Sequence, residues 1–151
     1  MTNEKKEILH KEIDLIQDCI KRMASNSFFI KGWTITLIAV VLALAKDNID
    51  FFYISLILLI PTLGFWYLDS FFLRTERMYR KMYEWVIKNR ENSNERLYDL
   101  NPRTYVNEVA SLFKVMFSST LKVFYGIPVL VLIIIILLNL LNKLCCNCIS
   151  F

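Results

Sequence analysis

At 151 residues, the chain is long enough for one compact unit but short for several domains. Hydrophobic residues make up 56% of it, against roughly 45–50% in an average soluble domain, and its mean hydropathy is +0.42. These values argue against an ordinary soluble domain. The net charge is only +4, so the positions of the charges along the chain carry more information than their sum.

The first 27 residues predict an amphipathic helix. Apolar residues recur there at spacings of three and four, which places on one helix face the stripe Leu9, Ile13, Ile16, Ile20 and Met23. A short helix is marginal in water unless it packs against something. The partner is the second polar segment of the same chain, a neighbouring copy or the membrane surface. Ser25-Asn26-Ser27 then favour a cap or turn, because their side chains bond nearby backbone amides.

Three long apolar runs predict membrane-spanning helices. They cover residues 28–45, 51–68 and 123–141, and each is close to the roughly 20 residues that a helix needs to cross a hydrocarbon core of about 30 Å. Backbone groups in lipid must be satisfied within the segment, so runs of this length are helical. We predict an all-α integral membrane protein, in which residues 28–68 form a tight hairpin and residues 123–141 form a third span.

Basic residues are concentrated in two segments, and this asymmetry predicts the orientation. Residues 1–31 hold six Lys and Arg and residues 69–122 hold ten, whereas the link between the first two spans holds only Lys46. Cytoplasmic flanks of spans are enriched in Lys and Arg. We expect a multi-pass protein of the inner (cytoplasmic) membrane, with a cytoplasmic N-terminus, an external turn at residues 46–50 and an external tail.

Four residues in the hairpin or directly after it have chemistry that predicts a role. Pro61 removes one helix hydrogen bond and clashes with the preceding turn, so it predicts, together with Gly64, either a structural bend or a gating hinge. Lys31 and Asp69 lie at similar predicted depths, at the cytoplasmic ends of adjacent antiparallel spans. Charges at such depth face the bundle interior or find a partner. The two are predicted either to pair with each other or each to reach water.

Residues 69–122 are predicted to be a cytoplasmic helical segment. No Gly or Pro interrupts residues 69–90, so the second span should continue into a helix with the basic face Arg74, Arg77, Lys81 and Lys88. That face meets solvent, anionic lipid headgroups or an anionic ligand such as a nucleotide. A further helix is predicted over residues 104–122 after the turn residues Asn101 and Pro102.

Acid-to-base pairs should support the first of these helices. Glu76–Arg80 and Glu84–Lys88 have the four-residue spacing at which such pairs meet on a helix surface. Each is expected to stabilise the helix by about 0.2–0.5 kcal/mol.

Residues typical of catalytic or metal sites are scarce. The sequence has no Gly-rich phosphate loop, no H-E-x-x-H and no G-x-S-x-G, and its one histidine, His10, lies in the N-terminal arm. We therefore predict no enzyme, no cofactor and no metal site.

The tail, residues 142–151, contains three crowded cysteines, Cys145, Cys146 and Cys148. They lack the spaced pairs of a zinc site, and the tail is interpreted as a mildly apolar interfacial segment. Disulfides between copies are the alternative for an external tail, and lipidation in a eukaryotic host is the alternative for a cytoplasmic one.

Two segments near the cytoplasmic ends of the hairpin carry a resemblance. Residues 26–33 read NSFFIKGW and residues 66–77 read WYLDSFFLRTER. With the order of arm, hairpin and polar helix, residues 1–90 resemble the small bacterial SLATT-type transmembrane effectors. The resemblance implies an oligomeric inner-membrane effector of nucleotide-triggered antiviral defence that compromises the membrane when a partner signals infection. The third span and the cysteine tail depart from the two-span plan of that class.

Three functional hypotheses follow. The first is the oligomeric effector, whose cytoplasmic helices receive a nucleotide second messenger or a soluble sensor protein and whose spans permeabilise the bilayer. The second is a non-enzymatic membrane anchor or accessory scaffold for a soluble partner. The third is a holin-like pore, which the large cytoplasmic segment disfavours. A transporter is least favoured because no inverted repeat is visible and the spans hold little charge, and nucleic acid is not an expected partner.

Overall fold

The protein is built from helices. The computed structural model describes residues 3–44 and 50–149, without the side chains of residues 44 and 144–149. Within these residues there is no β-strand, and the helices are α1 (Asn3–Leu44), α2 (Phe51–Asn89), α3 (Leu112–Met116) and α4 (Ser119–Ile149), with a 3₁₀ turn at Pro102–Tyr105. The predicted all-α class is confirmed.

Three of the helices, α1, α2 and α4, are long and apolar enough to cross a membrane. Their most apolar 18-residue windows have mean hydropathies of 1.5, 1.9 and 2.8, yet only 11%, 28% and 17% of each window is buried within the chain. Such surface is costly to expose to water and favourable to place in lipid. The chain is a membrane protein with three spanning helices, as predicted. The turn expected at residues 46–50 lies, apart from Asp50, outside the described residues.

The first spanning helix is longer than predicted, because α1 continues from the amphipathic arm into the span. The turn expected at Ser25-Asn26-Ser27 is therefore wrong. Ser and Asn weaken a helix by less than about 1 kcal/mol each. Ser27 also uses its hydroxyl to donate a hydrogen bond to Asp69 instead of capping the helix. As predicted, α2 continues past its span without a break, as far as Asn89.

Residues 104–122 do not form the single helix that their apolar spacing predicts. The chain forms the 3₁₀ turn, an irregular stretch, the five-residue α3 and, from Ser119, α4. Arg74 gives part of the physical reason, since its guanidinium donates to the carbonyls of Val106 and Ala110. In an α-helix those carbonyls would accept from the chain four residues on. A side chain from α2 has taken the place of the local hydrogen-bond ladder.

The chain folds as two compact units. The polar unit comprises Met1–Phe28 and Asp69–Val115, and the apolar unit comprises Phe29–Leu68 and Met116–Phe151. In the polar unit, the predicted stripe packs against α2. Ile16 is buried there, and Leu9, Ile13, Ile20 and Met23 are partly buried, against a core of Cys19, Met78, Tyr79, Met82, Val86 and Tyr105. Of the three partners left open by the sequence, the second polar segment of the same chain is the one observed.

In the apolar unit, α2 and α4 run antiparallel. At one end, Asp50 Oδ2 lies 3.6 Å from Lys143 Nζ. At the other end, the rings of Trp66 and Tyr125 stack with their centroids 6.1 Å apart. The C-terminal end of the third span and the beginning of the second therefore meet at one end of this unit.

The middle of the apolar unit is held by aliphatic packing among all three spans. Ile54 and Leu58 of α2 and Leu132 of α4 are buried together, and Leu37, Ile38 and Val41 of α1 pack against them. This contact confirms that the first two spans form a packed hairpin. Asp50 begins α2 as its N-cap, accepting a hydrogen bond from Phe52 N at 3.1 Å.

Candidate functional site

A nearly buried ion pair joins the two long helices of the polar unit. Glu12 of α1 is 2% exposed and Arg90, directly after α2, is 5% exposed. Arg90 Nε donates to Glu12 Oε2 at 2.6 Å, and Arg90 Nη2 donates to Oε1 at 2.5 Å. Two parallel charge-assisted bonds fix both side chains, so this pair sets the register of α1 against α2.

The same arginine also organises the chain that leaves α2. Arg90 Nη1 donates to the carbonyls of Ser93 at 3.1 Å and Glu95 at 2.7 Å, and its guanidinium lies 5.4 Å from the ring centre of Trp85. These carbonyls would otherwise need water or other donors. Arg90 is therefore a structural clamp, and its donors are already occupied within the protein.

Two residues of this turn adopt the left-handed backbone conformation that non-glycine residues seldom use. They are Arg96, with φ of 54°, and Tyr98, with φ of 58°. Contacts to the ion pair hold both, because Tyr98 N donates to Glu12 Oε1 and the Arg96 carbonyl accepts from Arg90 Nη2, each at 3.4 Å. The surroundings thus offset a backbone cost of order 1–3 kcal/mol per residue.

Asp69, half of the predicted interhelical pair, is completely buried and belongs to the polar unit. Its Oδ1 accepts a hydrogen bond of 2.5 Å from the Ser27 hydroxyl, which joins α1 to α2 where each helix passes from polar to apolar sequence. Lys31 is half-buried and belongs to the apolar unit. The alternative in which Asp69 reaches water is wrong, whereas its pairing with Lys31 stays a prediction.

The four residues predicted as one basic face have separate roles in the structure. Arg74 is committed to the protein, since its Nε lies 3.1 Å from the Ala110 carbonyl and its Nη2 lies 3.4 Å from that of Val106. Lys88 is exposed. Arg77 and Lys81 line a common groove. The predicted face is therefore reduced to two residues that share a site.

That groove, which we call the basic groove, has a volume of about 280 Å³. One wall comes from α2 and consists of Arg77, Arg80, Lys81 and Glu84. The other wall comes from the irregular stretch before α3 and consists of Glu108, Val109 and Ala110. The Arg74 bond to the Ala110 carbonyl helps to hold this second wall against α2.

Ion pairs engage two of the three basic side chains of the groove. Arg80 Nη2 lies 2.6 Å from Glu76 Oε1, which confirms the predicted pair. Lys81 Nζ lies 2.7 Å from Glu84 Oε2, so the close ion pair of Glu84 has a three-residue spacing. The predicted partner, Lys88, acts on Glu84 through its charge. The hydrogen bond and charge of the Lys81–Glu84 contact raise the pKa of Lys81 and lower that of Glu84.

Arg77 differs from its neighbours. It is half-buried, and it makes no hydrogen bond or ion pair with any residue that the structure describes. A guanidinium carries five donors and keeps its charge at any physiological pH. An arginine that is partly removed from water without a protein partner is a natural anion-binding group.

The predicted hinge residues both lie within α2. Pro61 is inside the helix, and Gly64 faces open space, since a Cβ added there would meet no atom within 4 Å. The neighbouring Thr62 is buried, and its hydroxyl donates a hydrogen bond to the carbonyl of Leu58 at 2.7 Å. A bend or gating motion at this point stays a prediction.

Trp66 anchors the chain that connects α3 to α4, a contact that no sequence pattern indicated. Its side chain is 6% exposed, and its Nε1 donates to the Met116 carbonyl at 2.9 Å. Phe117 packs edge-on to the same ring, with centroids 5.5 Å apart. The indole therefore fixes the start of the third span to α2 within the apolar unit.

Among the side chains that the structure describes, no group of three His, Cys, Asp or Glu lies close enough to hold a metal ion. Cys19 is buried with a free thiol. The cluster Cys145, Cys146 and Cys148 lies outside the described side chains. The predicted interfacial tail, and the alternatives of disulfides or lipidation, therefore stay predictions.

Comparison with known proteins adds no relative. No protein-family model matches the sequence, and no curated protein or solved structure is significantly similar to it.

Proposed function

We propose that this protein is an oligomeric effector of the inner (cytoplasmic) membrane, whose spans permeabilise the bilayer when its cytoplasmic polar unit receives a trigger. The observation that carries the proposal is the exposed surface of the spans. No more than 28% of any span window is buried within one copy. Most of the span surface is therefore free to contact lipid or further copies of the chain.

The continuity of the helices supports a link between trigger and membrane. α1 and α2 each include residues of the polar unit and residues of the apolar unit. A ligand changes an equilibrium only through its different affinity for two states, and an uninterrupted helix connects the polar residues directly to a span. The charge asymmetry supports a cytoplasmic N-terminus and polar unit. The SLATT resemblance supports a role in antiviral defence.

The first experiment measures membrane potential during regulated expression in a bacterial host, with and without phage infection. We expect growth arrest and dye-reported depolarisation in at least one condition. Unchanged potential in every condition, together with recovery of a stoichiometric soluble partner from detergent extracts, would instead identify the protein as a scaffold.

The second experiment measures the mass of the particle in detergent, and a strictly monomeric particle contradicts the proposal. Gly64→Leu is an informative variant because the site is open within one copy, while small residues allow close helix contact between chains in membranes. If Gly64 lies at a contact between copies, leucine lowers the copy number without unfolding the chain. Ile60→Leu, at an exposed position of the same helix, is the matched control.

A further inference from the structure

We propose that the basic groove binds a phosphate-bearing ligand and that Arg77 is its principal anion-binding residue. As a trigger site, this inference rests on the proposed function. As a binding site, it rests only on the chemistry and geometry of the groove.

Arg77 provides the strongest argument. The residue is half-buried, lines the groove and has no partner among the described residues. The planar fork of donors matches two oxygens of a phosphoryl group, and such charge-assisted bonds are about twice as strong as neutral ones. A phosphate therefore satisfies donors that the described residues leave open.

Two further cations lie close enough to contribute. Lys81 makes an ion pair with Glu84, in which the side chains are 38% and 51% exposed, and the charge of Glu108 also acts on it. An exposed pair of this kind adds little stability and is easily rearranged, so the ammonium can turn toward a doubly charged phosphate. Arg80 keeps its bonds to Glu76 and adds positive potential at the edge of the groove.

The remaining wall limits the size and character of the ligand. A volume of about 280 Å³ lies just below the range for small-molecule sites, which is roughly 300–1,000 Å³. Val109 and Ala110 offer apolar contact beside the cations, and the exposed Glu108 can accept a hydrogen bond from a ligand hydroxyl. A nucleotide or the glycerophosphate part of a lipid headgroup has this combination of phosphate, hydroxyl and apolar surface.

Binding in this groove would bridge α2 and the stretch before α3. Arg74 already ties the Ala110 carbonyl to α2. A ligand whose phosphate lies on Arg77 and whose hydroxyl and apolar part contact Glu108 and Val109 would add a second tie to the same wall. Closure of the groove is thus the local change that a ligand would favour. It acts on α2, the helix that continues into the second span.

The test titrates the full chain in neutral detergent with ATP, and separately with inorganic pyrophosphate, by calorimetry. We expect saturable binding that Arg77→Ala weakens by at least about tenfold and that Arg77→Lys weakens less. Lys88→Ala, which removes an equal charge from the same helix outside the groove, should leave affinity within about twofold. Equal unfolding temperatures of the variants exclude misfolding as the cause.

A second arm identifies the source of the phosphate. The protein is placed in nanodiscs of phosphatidylcholine alone or with one quarter phosphatidylglycerol, and the ATP titration is repeated. Binding retained in both discs assigns the groove to a soluble ligand, whereas binding lost only with phosphatidylglycerol assigns it to a lipid headgroup. No binding of either probe in detergent and phosphatidylcholine discs, or binding unaffected by Arg77→Ala, overturns the proposal.

Failure of this inference is distinguishable from failure of the proposed function. Dye release from phosphatidylcholine vesicles with the reconstituted protein measures permeabilisation directly, with and without ATP. Arg77-dependent binding without any dye release would retain the ligand site and count against the effector.

Discussion

Glu12 and Arg90 are 78 positions apart in the chain, and they form a doubly hydrogen-bonded ion pair that is almost fully buried. Removing one partner leaves an uncompensated buried charge, which costs about 3–5 kcal/mol. We expect Glu12→Ala and Arg90→Ala each to lower the apparent unfolding temperature in detergent strongly. Glu7→Gln, which breaks the exposed pair with Lys11, is the control and should have little effect.

Exchanging the two charges should not restore stability. Arg90 also donates to the carbonyls of Ser93 and Glu95, and a glutamate at position 90 cannot donate. The double variant Glu12→Arg with Arg90→Glu is therefore expected to remain about as unstable as the single variants. A double variant that unfolds at the wild-type temperature would contradict the clamp role of Arg90.

Arg74 gives a prediction about the stretch that sequence periodicity misassigned. Arg74→Ala leaves the Val106 and Ala110 carbonyls without their donor, at a cost of about 1–3 kcal/mol. We expect faster hydrogen exchange in residues 103–111. The rest of the polar unit should change little, and Lys88→Ala should leave the exchange pattern unaltered. Uniform acceleration across α1 and α2 would show instead that Arg74 supports the whole unit.

Strong periodic patterns predicted the helices well. The apolar runs are long enough that backbone satisfaction in lipid leaves only one structure, and the absence of Gly and Pro after Asp69 correctly indicated that α2 continues. The stripe at Leu9 and Ile13 also packs as its spacing indicates. In each case, the helix and its apolar face depend on residues within a single segment, so the sequence of that segment is enough to predict them.

Contacts between distant elements were not predictable in the same way. Nothing near Glu12 or Arg90 in the sequence marks them as partners, because their meeting depends on the register of two long helices. The helix predicted over residues 104–122 failed for a related reason, since Arg74 of α2 competes for its carbonyls. The basic face could be located from spacing, but the absence of a partner for Arg77 among the described residues could be seen only from the surrounding contacts.

Trp66 supplies a prediction for the apolar unit. Trp66→Phe keeps an aromatic ring but removes the hydrogen bond from Nε1 to the Met116 carbonyl. We expect it to lower the free energy of unfolding by about 1–2 kcal/mol. Trp33→Phe changes an indole that is largely exposed and should be nearly neutral. The comparison is made by thermal unfolding in one detergent. Equal destabilisation by the two substitutions would contradict an anchoring role for Trp66.

Tyr105 predicts how the polar unit responds to alkaline pH. Burial, and then the charge of Glu108, raise the pKa of its phenol, while Arg96 opposes the shift. The pKa of Tyr105 is higher in the folded chain than in the unfolded chain. Its contribution to the free energy of unfolding is therefore complete below about pH 10 and is lost as pH rises through the folded pKa. We expect Tyr105→Phe to show a smaller loss of unfolding temperature between pH 8 and 11 than the wild type.

The control for that measurement is Tyr98→Phe, since Tyr98 is an exposed phenol of the same unit. Its alkaline loss should match that of the wild type. Some pH dependence should persist in Tyr105→Phe, because burial also raises the pKa of Tyr79. A Tyr105→Phe profile that follows the wild type at every pH would show that Tyr105 does not contribute.

The buried carboxylate of Asp69 tests the interhelical pair. Asp69→Asn keeps the shape of the side chain and an oxygen that accepts from Ser27, so it removes mainly the charge. If Lys31 is the partner, Asp69→Asn should be destabilising with Lys31 present and nearly neutral beside Lys31→Met. A double-mutant cycle on unfolding temperature in detergent then gives a coupling of 0.5 kcal/mol or more, at about the lower limit for interacting residues.

Charge reversal at each site should impair assembly, and the exchanged pair should recover it. Additive effects in both designs would assign the stability of Asp69 to Ser27 and its other neighbours, and Ser27→Ala would then be the more damaging substitution.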